Sequence, residues 1–456
     1  MLERLFALSA RNTNVRTEVA AGITTFMTMA YILFVNPSIL GAAGMDKNAV
    51  LLATAIGAGC VTIAMGMFVN YPIALAPGMG LNAFYAFTVV IGMGIPWEVA
   101  LGAVFLSGIV FILLTVTRVR QLLVEGMPVS LKHAITVGIG LFITVVGLKL
   151  SGLMSIRLSL IKPTLEKLIT TQGQGTPLSF ETIIELGKFE PSTLLAVFGF
   201  ILTALLMARK VNGAMLISIM VTTILAIFFG VVQIPDNFTL ISLPDFSRNA
   251  FFALDIKGAL EMGLITIIFT FTFVELFDTM GTLVGTATKA NLTDEKGNFP
   301  GMGKAMIVDA CGVSFGALLG TSTITAFVES TAGVAAGGRT GLTAVVTGIL
   351  FLLALFFTPL VALIPDVATA PALIIVGALM LESVRKIDLS DLTEAIPAFV
   401  TMVAMPFTYS IANGISFGLV LYPLMKLVTG RYKEVHWIVW VLAILVVARY
   451  IFLAEH

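Results

Sequence analysis

Residues 321–338 read TSTITAFVESTAGVAAGG, and residues 72–86 read PIALAPGMGLNAFYA. Both stretches are apolar, yet neither reads as a continuous helix. In the first, the β-branched run Thr321, Thr323, Ile324 and Thr325 favours an extended backbone, and small Ala and Gly residues follow. In the second, Pro72 and Pro77 donate no backbone hydrogen bond, and Gly78 and Gly80 loosen the chain. Each pattern predicts a short extended piece followed by a half-helix. Non-helical backbone at membrane depth is tolerated only inside protein or beside a cavity, so this pair marks the interior of the fold.

The rest of the chain supplies the membrane context. Of 456 residues, 58% are hydrophobic and 11% charged, with a mean hydropathy of +1.03. Soluble domains carry about 25% charged residues. Lys+Arg and Asp+Glu are 26 each, a formal balance that excludes the basic footprint of a nucleic-acid binder. Cys60 and Cys311 lie in apolar runs and imply neither a disulfide framework nor a metal cluster, and His133, His436 and His456 are dispersed. No cofactor or metal is implied. The N-terminus has no continuous apolar core of the signal-peptide type, so no cleaved leader is expected.

A spanning helix needs about 20 mostly apolar residues. That rule predicts spans at 17–40, 49–70, 97–118, 131–150, 193–210 and 213–231, and again at 258–284, 303–320, 340–362, 365–384, 393–410 and 411–429. The broken stretches 72–92 and 321–338 bring the total to fourteen elements. A further apolar run, 435–453, is long enough to span or to lie along the interface. The Lys/Arg bias of the short loops puts the N-terminus, with Arg4, Arg11 and Arg16, in the cytoplasm. Arg118, Arg120, Arg209, Lys210, Lys289, Lys296, Arg339, Arg385 and Lys386 then fall on the same side. The long 151–191 segment, with Lys162, Glu166 and Lys167, falls outside.

The broken stretches are each third in a set of seven, and 212–220 (NGAMLISIM) resembles 413–421 (NGISFGLVL). An odd number of elements makes the second set enter from the opposite face. The expected fold is therefore an all-α polytopic membrane protein of two inverted seven-element repeats, with short strands in elements 3 and 10. In such folds, interrupted segments in matching positions point to a binding site at the midplane.

An acid within a span costs at least about 2.5–3.5 kcal/mol, which makes it a functional candidate. Glu275, Asp278, Asp309 and Glu329 are such acids. Glu275 and Asp278 are spaced i, i+3 in FTFVELFDTMGTL (271–283), and Thr282 extends the same helical face. Two carboxylates this close do not ionise independently, which suits a proton-coupled site. The competing reading for each is a carboxylate tied to a neighbouring hydroxyl or to backbone. Glu329 follows one extended piece, and Asn82 holds a comparable place after the other. Phe84, Tyr85 and Phe327 border them, either as a stacking face or as ordinary packing in a chain with 33 Phe. Carboxylates, an amide, hydroxyls and aromatic faces without an adjacent Arg or Lys suit a flat, neutral heterocycle bearing N–H donors.

The stretches 17–40 (TEVAAGITTFMTMAYILFVNPSIL), 74–85 (ALAPGMGLNAFY), 271–283, 318–341 (LLGTSTITAFVESTAGVAAGGRTG) and 395–414 (AIPAFVTMVAMPFTYSIANG) resemble the AzgA-like branch of the nucleobase:cation symporters, the hypoxanthine/guanine/adenine permeases. The resemblance covers nearly the whole chain. It implies a core domain from 1–130 and 258–363, and a gate domain from 131–257 and 364–456, the latter ending in the extra C-terminal helix. It also implies elevator-type proton symport of a purine nucleobase and a homodimer in the cytoplasmic membrane. Carried over by position, the substrate acid falls on Asp278, followed by Gly281 and Thr282. The proton-site carboxylate falls on Glu275, with these two exchangeable, the acid after the tenth element's strand on Glu329, and the third element's polar group on Asn82. The binding set is thus Asp278, Glu329, Asn82, Phe84, Thr282, Phe327 and Val328, and the proton-coupling set Glu275, Asp278 and Asp309. The chain lacks the Gln-Asn-Xaa-Gly pattern of the xanthine/uric acid branch, and Thr282 stands where the uracil branch often has His, which disfavours those substrates. The alternatives are a carrier for uracil, xanthine or an anion on the same fold, a membrane-embedded enzyme, or a channel. Glu329 argues against an anion, and the dispersed His and Cys argue against an enzyme.

Overall fold

The computed structural model describes residues 2–117, 119, 123, 126–160, 180–235, 238–290, 292 and 301–452. Arg118, Arg120, Lys162, Glu166, Lys167 and Lys296, used above as charge markers, lie outside them. Among the described residues, nine helices are long and apolar enough to cross a membrane, and shorter apolar helices accompany them. The chain is an all-α polytopic membrane protein.

The first span is two helices, α1 (Val15–Met29) and α2 (Ile32–Ala42), with a turn at Ala30–Tyr31. Pro37 lies within α2, where its missing N–H and ring disfavour a regular helix one turn earlier. Helix α3 (Lys47–Val69) starts on Asp46, whose carboxylate accepts from the N–H groups of Asn48 and Ala49, both at 2.9 Å. Strand β1 (Leu75–Pro77) follows, then the half-helix α4 (Met79–Ala83), which continues as a π-helical stretch, Phe84–Gly92. Helices α5 (Trp97–Val116) and α6 (Val129–Leu150) match their expected spans within two residues.

The 151–191 segment holds an antiparallel pair that sequence reasoning did not foresee, β2 (Met154–Leu160) with β3 (Phe180–Leu186), in the register Met154↔Leu186 to Leu160↔Phe180. Helices α7 (Pro191–Ala208) and α8 (Ala214–Phe228) complete the first half.

The second half opens differently from expectation. The span 258–284 is instead α9 (Ile265–Lys289), preceded by a separate short helix, Ile256–Glu261. Gly263, at φ +64°, lies in the break between them, in a backbone state only glycine adopts freely. Then come α10 (Met302–Leu319), β4 (Ile324–Ala326), the half-helix α11 (Ser330–Ala335) and α12 (Gly341–Leu353). Helices α13 (Asp366–Met380), α14 (Leu392–Phe407), α15 (Ile411–Val428) and α16 (Trp437–Phe452) end the chain.

Helix α16 lies antiparallel to α15 and is tied at both ends: Tyr450 Oη donates to Asn413 Oδ1 at 2.9 Å, and Lys426 Nζ donates to Glu434 Oε2 at 3.0 Å. The latter belongs to a cluster in which Lys426 also meets Glu394 at 2.9 Å, and Arg431 meets Asp391 at 2.6 Å and Glu434 at 2.7 Å.

Buried polar groups are paired across distant elements. Glu18 on α1 is fully buried. It accepts from the N–H groups of Arg339, Thr340 and Thr343 and from Thr343 Oγ1, at 2.9, 3.2, 3.2 and 2.6 Å. It thereby closes the N-terminus of α12, whose first amides have no partner within the helix. Half-helix α11 meets α1 at Gly333, where a Cβ would run into Thr25 Oγ1 and Ala21 O.

Candidate functional site

Strands β1 and β4 pair antiparallel with Leu75↔Ala326, Ala76↔Thr325 and Pro77↔Ile324. The ladder is extended by Gly78 N–H donating to Thr323 O at 2.9 Å and Phe327 N–H to Ala74 O at 3.0 Å. This is the pair of extended pieces expected in 72–86 and 321–338, and the two form one sheet. A two-stranded sheet inside a membrane protein has outward backbone groups that no water reaches. Helix α3 serves one edge: Thr62 Oγ1 lies 2.9 Å from both the N and the O of Leu75. Helix α10 serves the other: Asp309 Oδ1 accepts from Ala326 N–H at 3.1 Å. Ser330 Oγ accepts from Ala74 N–H at 3.0 Å.

Against this sheet stands α9. Four of its polar residues, Glu275, Asp278, Thr279 and Thr282, divide between a buried edge and a partly open one. Glu275 and Thr279 are buried, at 1% and 0% exposure, and face α10 and β4. Thr279 Oγ1 lies 2.7 Å from Asp309 Oδ2, 3.0 Å from Thr325 Oγ1 and 3.3 Å from Glu275 Oε1. Asp278 and Thr282 are partly open. The carboxyl groups of Asp309 and Glu329 lie within electrostatic reach of Asp278. The i, i+3 reading of Glu275 and Asp278 brought both into one region, but the functional division is by i, i+4 pairs: 275 with 279, and 278 with 282.

Beyond β4, Phe327 is buried, Val328 is 52% exposed and Glu329 is partly open. Tyr31, at the turn between α1 and α2, donates its hydroxyl to Glu329 Oε1 at 2.5 Å. That is the length of a hydroxyl bond to a carboxylate oxygen. Glu329 is the cap residue of α11, yet its side chain makes no bond to that helix, so its carboxylate is held by Tyr31.

Asn82 and Phe84 sit further in than the open surface. Asn82 is fully buried and donates to Asn36 Oδ1 at 2.6 Å. Asn36 donates in turn to Thr54 Oγ1 at 2.7 Å and Thr321 Oγ1 at 2.9 Å, which links α4, α2, α3 and the approach to β4. Phe84 is 1% exposed and meets the Phe271 ring edge-on at 5.1 Å.

Sequence reasoning missed Tyr31, Asn36, Thr62 and Thr279. Asn36 had a signal, an amide within an apolar span. Thr279 had one too, its i, i+4 spacing from Glu275, whereas Tyr31 had none, since its partner lies on another element. Two partly open carboxylates, Asp278 and Glu329, thus lie within electrostatic reach of each other, with partly open Thr282 one turn on from Asp278 and exposed Val328 next to Glu329 in the chain. Among the described residues, no three His, Cys, Asp or Glu groups are placed to hold a metal ion.

The sequence profile of the Permease family (Xan_ur_permease) matches residues 16–417. An adenine permease of Escherichia coli K12 is 45% identical over 457 residues, covering 100% of this chain and 97% of its own. A guanine/hypoxanthine permease of Bacillus subtilis 168 is 42% identical over 463 residues, covering 99% and 100%. Among solved structures, the transmembrane domain of a cyanobacterium bicarbonate transporter, BicA, superposes with a TM-score of 0.61 over 88% of this chain and 97% of that one. At 15% identity this likeness speaks to fold alone. The chain belongs to the Permease family and is a multi-pass membrane transporter rather than an enzyme.

Proposed function

We propose that the chain imports a purine nucleobase (adenine, guanine or hypoxanthine) together with a proton across the cytoplasmic membrane. The observation that carries this is the pair of partly open carboxylates, Asp278 and Glu329, beside the crossing of β1 and β4. A carboxylate accepts two parallel N–H bonds from one edge of a purine, and no Lys or Arg of the described spans stands beside this pair to favour an anion. The relatives named for adenine and for guanine/hypoxanthine support the purine class.

In this reading the chain is fourteen elements in two inverted repeats of seven. Elements α1–α5 with 258–363 form a moving core domain, and 131–257 with 364–456 form a gate domain that pairs in a homodimer. The N-terminus is cytoplasmic. Asp278, Glu329, Thr282 and Val328 contact the purine. Asn82, Phe84 and Phe327 act from behind as the packed wall of that surface. Glu275 and Asp309, dry and joined through Thr279, handle the proton, with Asp278 between the two roles.

The test is uptake of radiolabelled adenine and hypoxanthine in cells lacking their own purine permeases, with unlabelled adenine, guanine, hypoxanthine, xanthine and uracil as competitors. Purines other than xanthine should compete. Asp278→Asn and Glu329→Gln should abolish uptake while membrane expression persists, and a protonophore should abolish wild-type accumulation. Competition by uracil alone, or wild-type uptake in either variant, would overturn the assignment.

A further inference from the structure

The hydroxyl of Thr279 is shared among more acceptors than it has protons. It lies 2.7 Å from Asp309 Oδ2 and 3.3 Å from Glu275 Oε1, and a hydroxyl donates once. The third neighbour, Thr325 Oγ1 at 3.0 Å, also lies 3.4 Å from Asp309 Oδ1, which takes the Ala326 N–H. With Glu275 and Asp309 both ionised, Thr279 serves one and leaves its oxygen facing the other. With one carboxyl protonated, the chain Glu275–Thr279–Asp309 is bonded throughout. Thr279, Glu275 and Asp309 are all at 0–1% exposure, where a mismatched donor count is most costly.

We propose that Thr279 is a positioning residue for proton coupling: its hydroxyl joins Glu275 to Asp309, and through Asp309 joins the transported proton to the backbone of β4. The proposal rests on the proton-symport reading above. Two states balance. In one, the Glu275 carboxyl donates to Thr279 Oγ1, and Thr279 donates to ionised Asp309. In the other, the Glu275 proton has passed to Thr279 Oγ1 and the Thr279 proton to Asp309 Oδ2. Glu275 is then ionised and Asp309 neutral, and exactly as many protons sit in the chain as before. An ionised Asp309 grips Ala326 N–H through a charge-assisted bond, and a neutral one grips it less. Ala326 is followed by Phe327, Val328 and Glu329, so the proton's position sets the hold on the strand that carries the binding surface. Among the described residues, Asp278 on the same helix lies within electrostatic reach of Asp309 and of Glu329 beyond β4, the latter bonded to Tyr31. Asp278 and Glu329 are partly open and belong to the purine surface.

The experiment uses the full-length protein in proteoliposomes with radiolabelled adenine and hypoxanthine. Thr279→Val keeps the branched shape and removes the hydroxyl, Thr279→Ala removes both, and Thr279→Ser restores the hydroxyl alone. Two readouts are compared: purine counterflow, which moves no net proton, and accumulation driven by an imposed proton gradient. Thr279→Val and Thr279→Ala should keep counterflow within about twofold of wild type. Both should lose gradient-driven accumulation by about tenfold or more, as for losing one hydrogen bond to a charged group. Thr279→Ser should recover it. Wild-type accumulation by either hydroxyl-free variant overturns the proposal. So does a Ser variant as defective as Val in both readouts, because shape and not the hydroxyl would then matter. Wild-type accumulation that ignores a protonophore and requires sodium overturns the proton-symport reading on its own, before any variant is compared.

Discussion

Replacing Tyr31 by Phe removes one oxygen and leaves the ring. Tyr31 is 1% exposed, and its hydroxyl donates to Glu329 Oε1 at 2.5 Å across 298 residues of sequence. A hydrogen bond to a charged group contributes about 1.5–3 kcal/mol net. At about 1.4 kcal/mol per tenfold, that is about 10- to 150-fold. The loss should fall on purine binding, because the Glu329 carboxylate makes no capping bond to α11 and would keep its own backbone N–H as a partner in place of Tyr31. Tyr31→Phe should therefore raise the KM for adenine or hypoxanthine by at least about tenfold, with membrane expression unchanged. The measurement is initial-rate uptake in permease-deficient cells over a range of purine concentrations, normalised to protein detected in the membrane. A KM within about twofold of wild type at normal expression would refute the claim that Tyr31 holds Glu329 for the ligand.

Two further outcomes are expected. Gly333→Val drives a side chain into Thr25 Oγ1 and the Ala21 carbonyl, so it should cost about 1–3 kcal/mol or more and lower the yield of folded protein in detergent. Gly285→Ala, which meets open space on α9, should be neutral in the same assay. Where α14 begins and α15 ends, the Thr393 hydroxyl and then the Arg431 guanidinium hold the Asp391 carboxyl well below the usual carboxylate range. Arg431, then Lys426, bring Glu434 down to about 2. Carboxyls lowered by folding stabilise fully above the ordinary carboxylate range and lose that contribution as pH falls through it towards the lowered values. The detergent melting temperature should thus hold from pH 7 to about 5 and fall below about 4, and Glu434→Gln should flatten that fall. Parallel pH profiles for the two proteins would count against the cluster.

How much of this was legible beforehand follows from which forces act locally. Strands β1 and β4 were readable because Pro72, Pro77 and the Thr321–Thr325 run disfavour helix by themselves. The acids were readable because a charge in an apolar span is conspicuous in sequence alone. The start of α9 differs by seven residues from the expected span because apolarity does not stop at Gly263, while the helix is broken there. Asn82 and Phe84 were expected near the open surface, yet both are buried. At Phe84 the helix turns π-type, and its wider turn rotates the faces away from a 3.6-residue count, whereas Asn82, just ahead of it in α4, is tied inward to Asn36. How α16 packs on α15 was not legible, because its contacts, Tyr450 with Asn413 and Glu434 with Lys426, are tertiary. The β2–β3 pair was taken for loop because charges, not turn residues, dominated its reading.

The edge partners of the central sheet bear on how the protein is made. Strand β1 leaves the ribosome some 250 residues before β4, its only strand partner. Until then its polar backbone would stand bare in the bilayer, at a cost no membrane segment sustains. Thr62 lies only 13 residues upstream of Leu75 and serves both its N–H and its carbonyl. Asp309, 17 residues upstream of Ala326, accepts from that residue's N–H on the outer edge of β4. Each strand is therefore born beside a helix that already covers one of its edges. Each half of the chain can leave the translocon with part of its outer strand edge already bonded, and the two need only find each other along the inner edge.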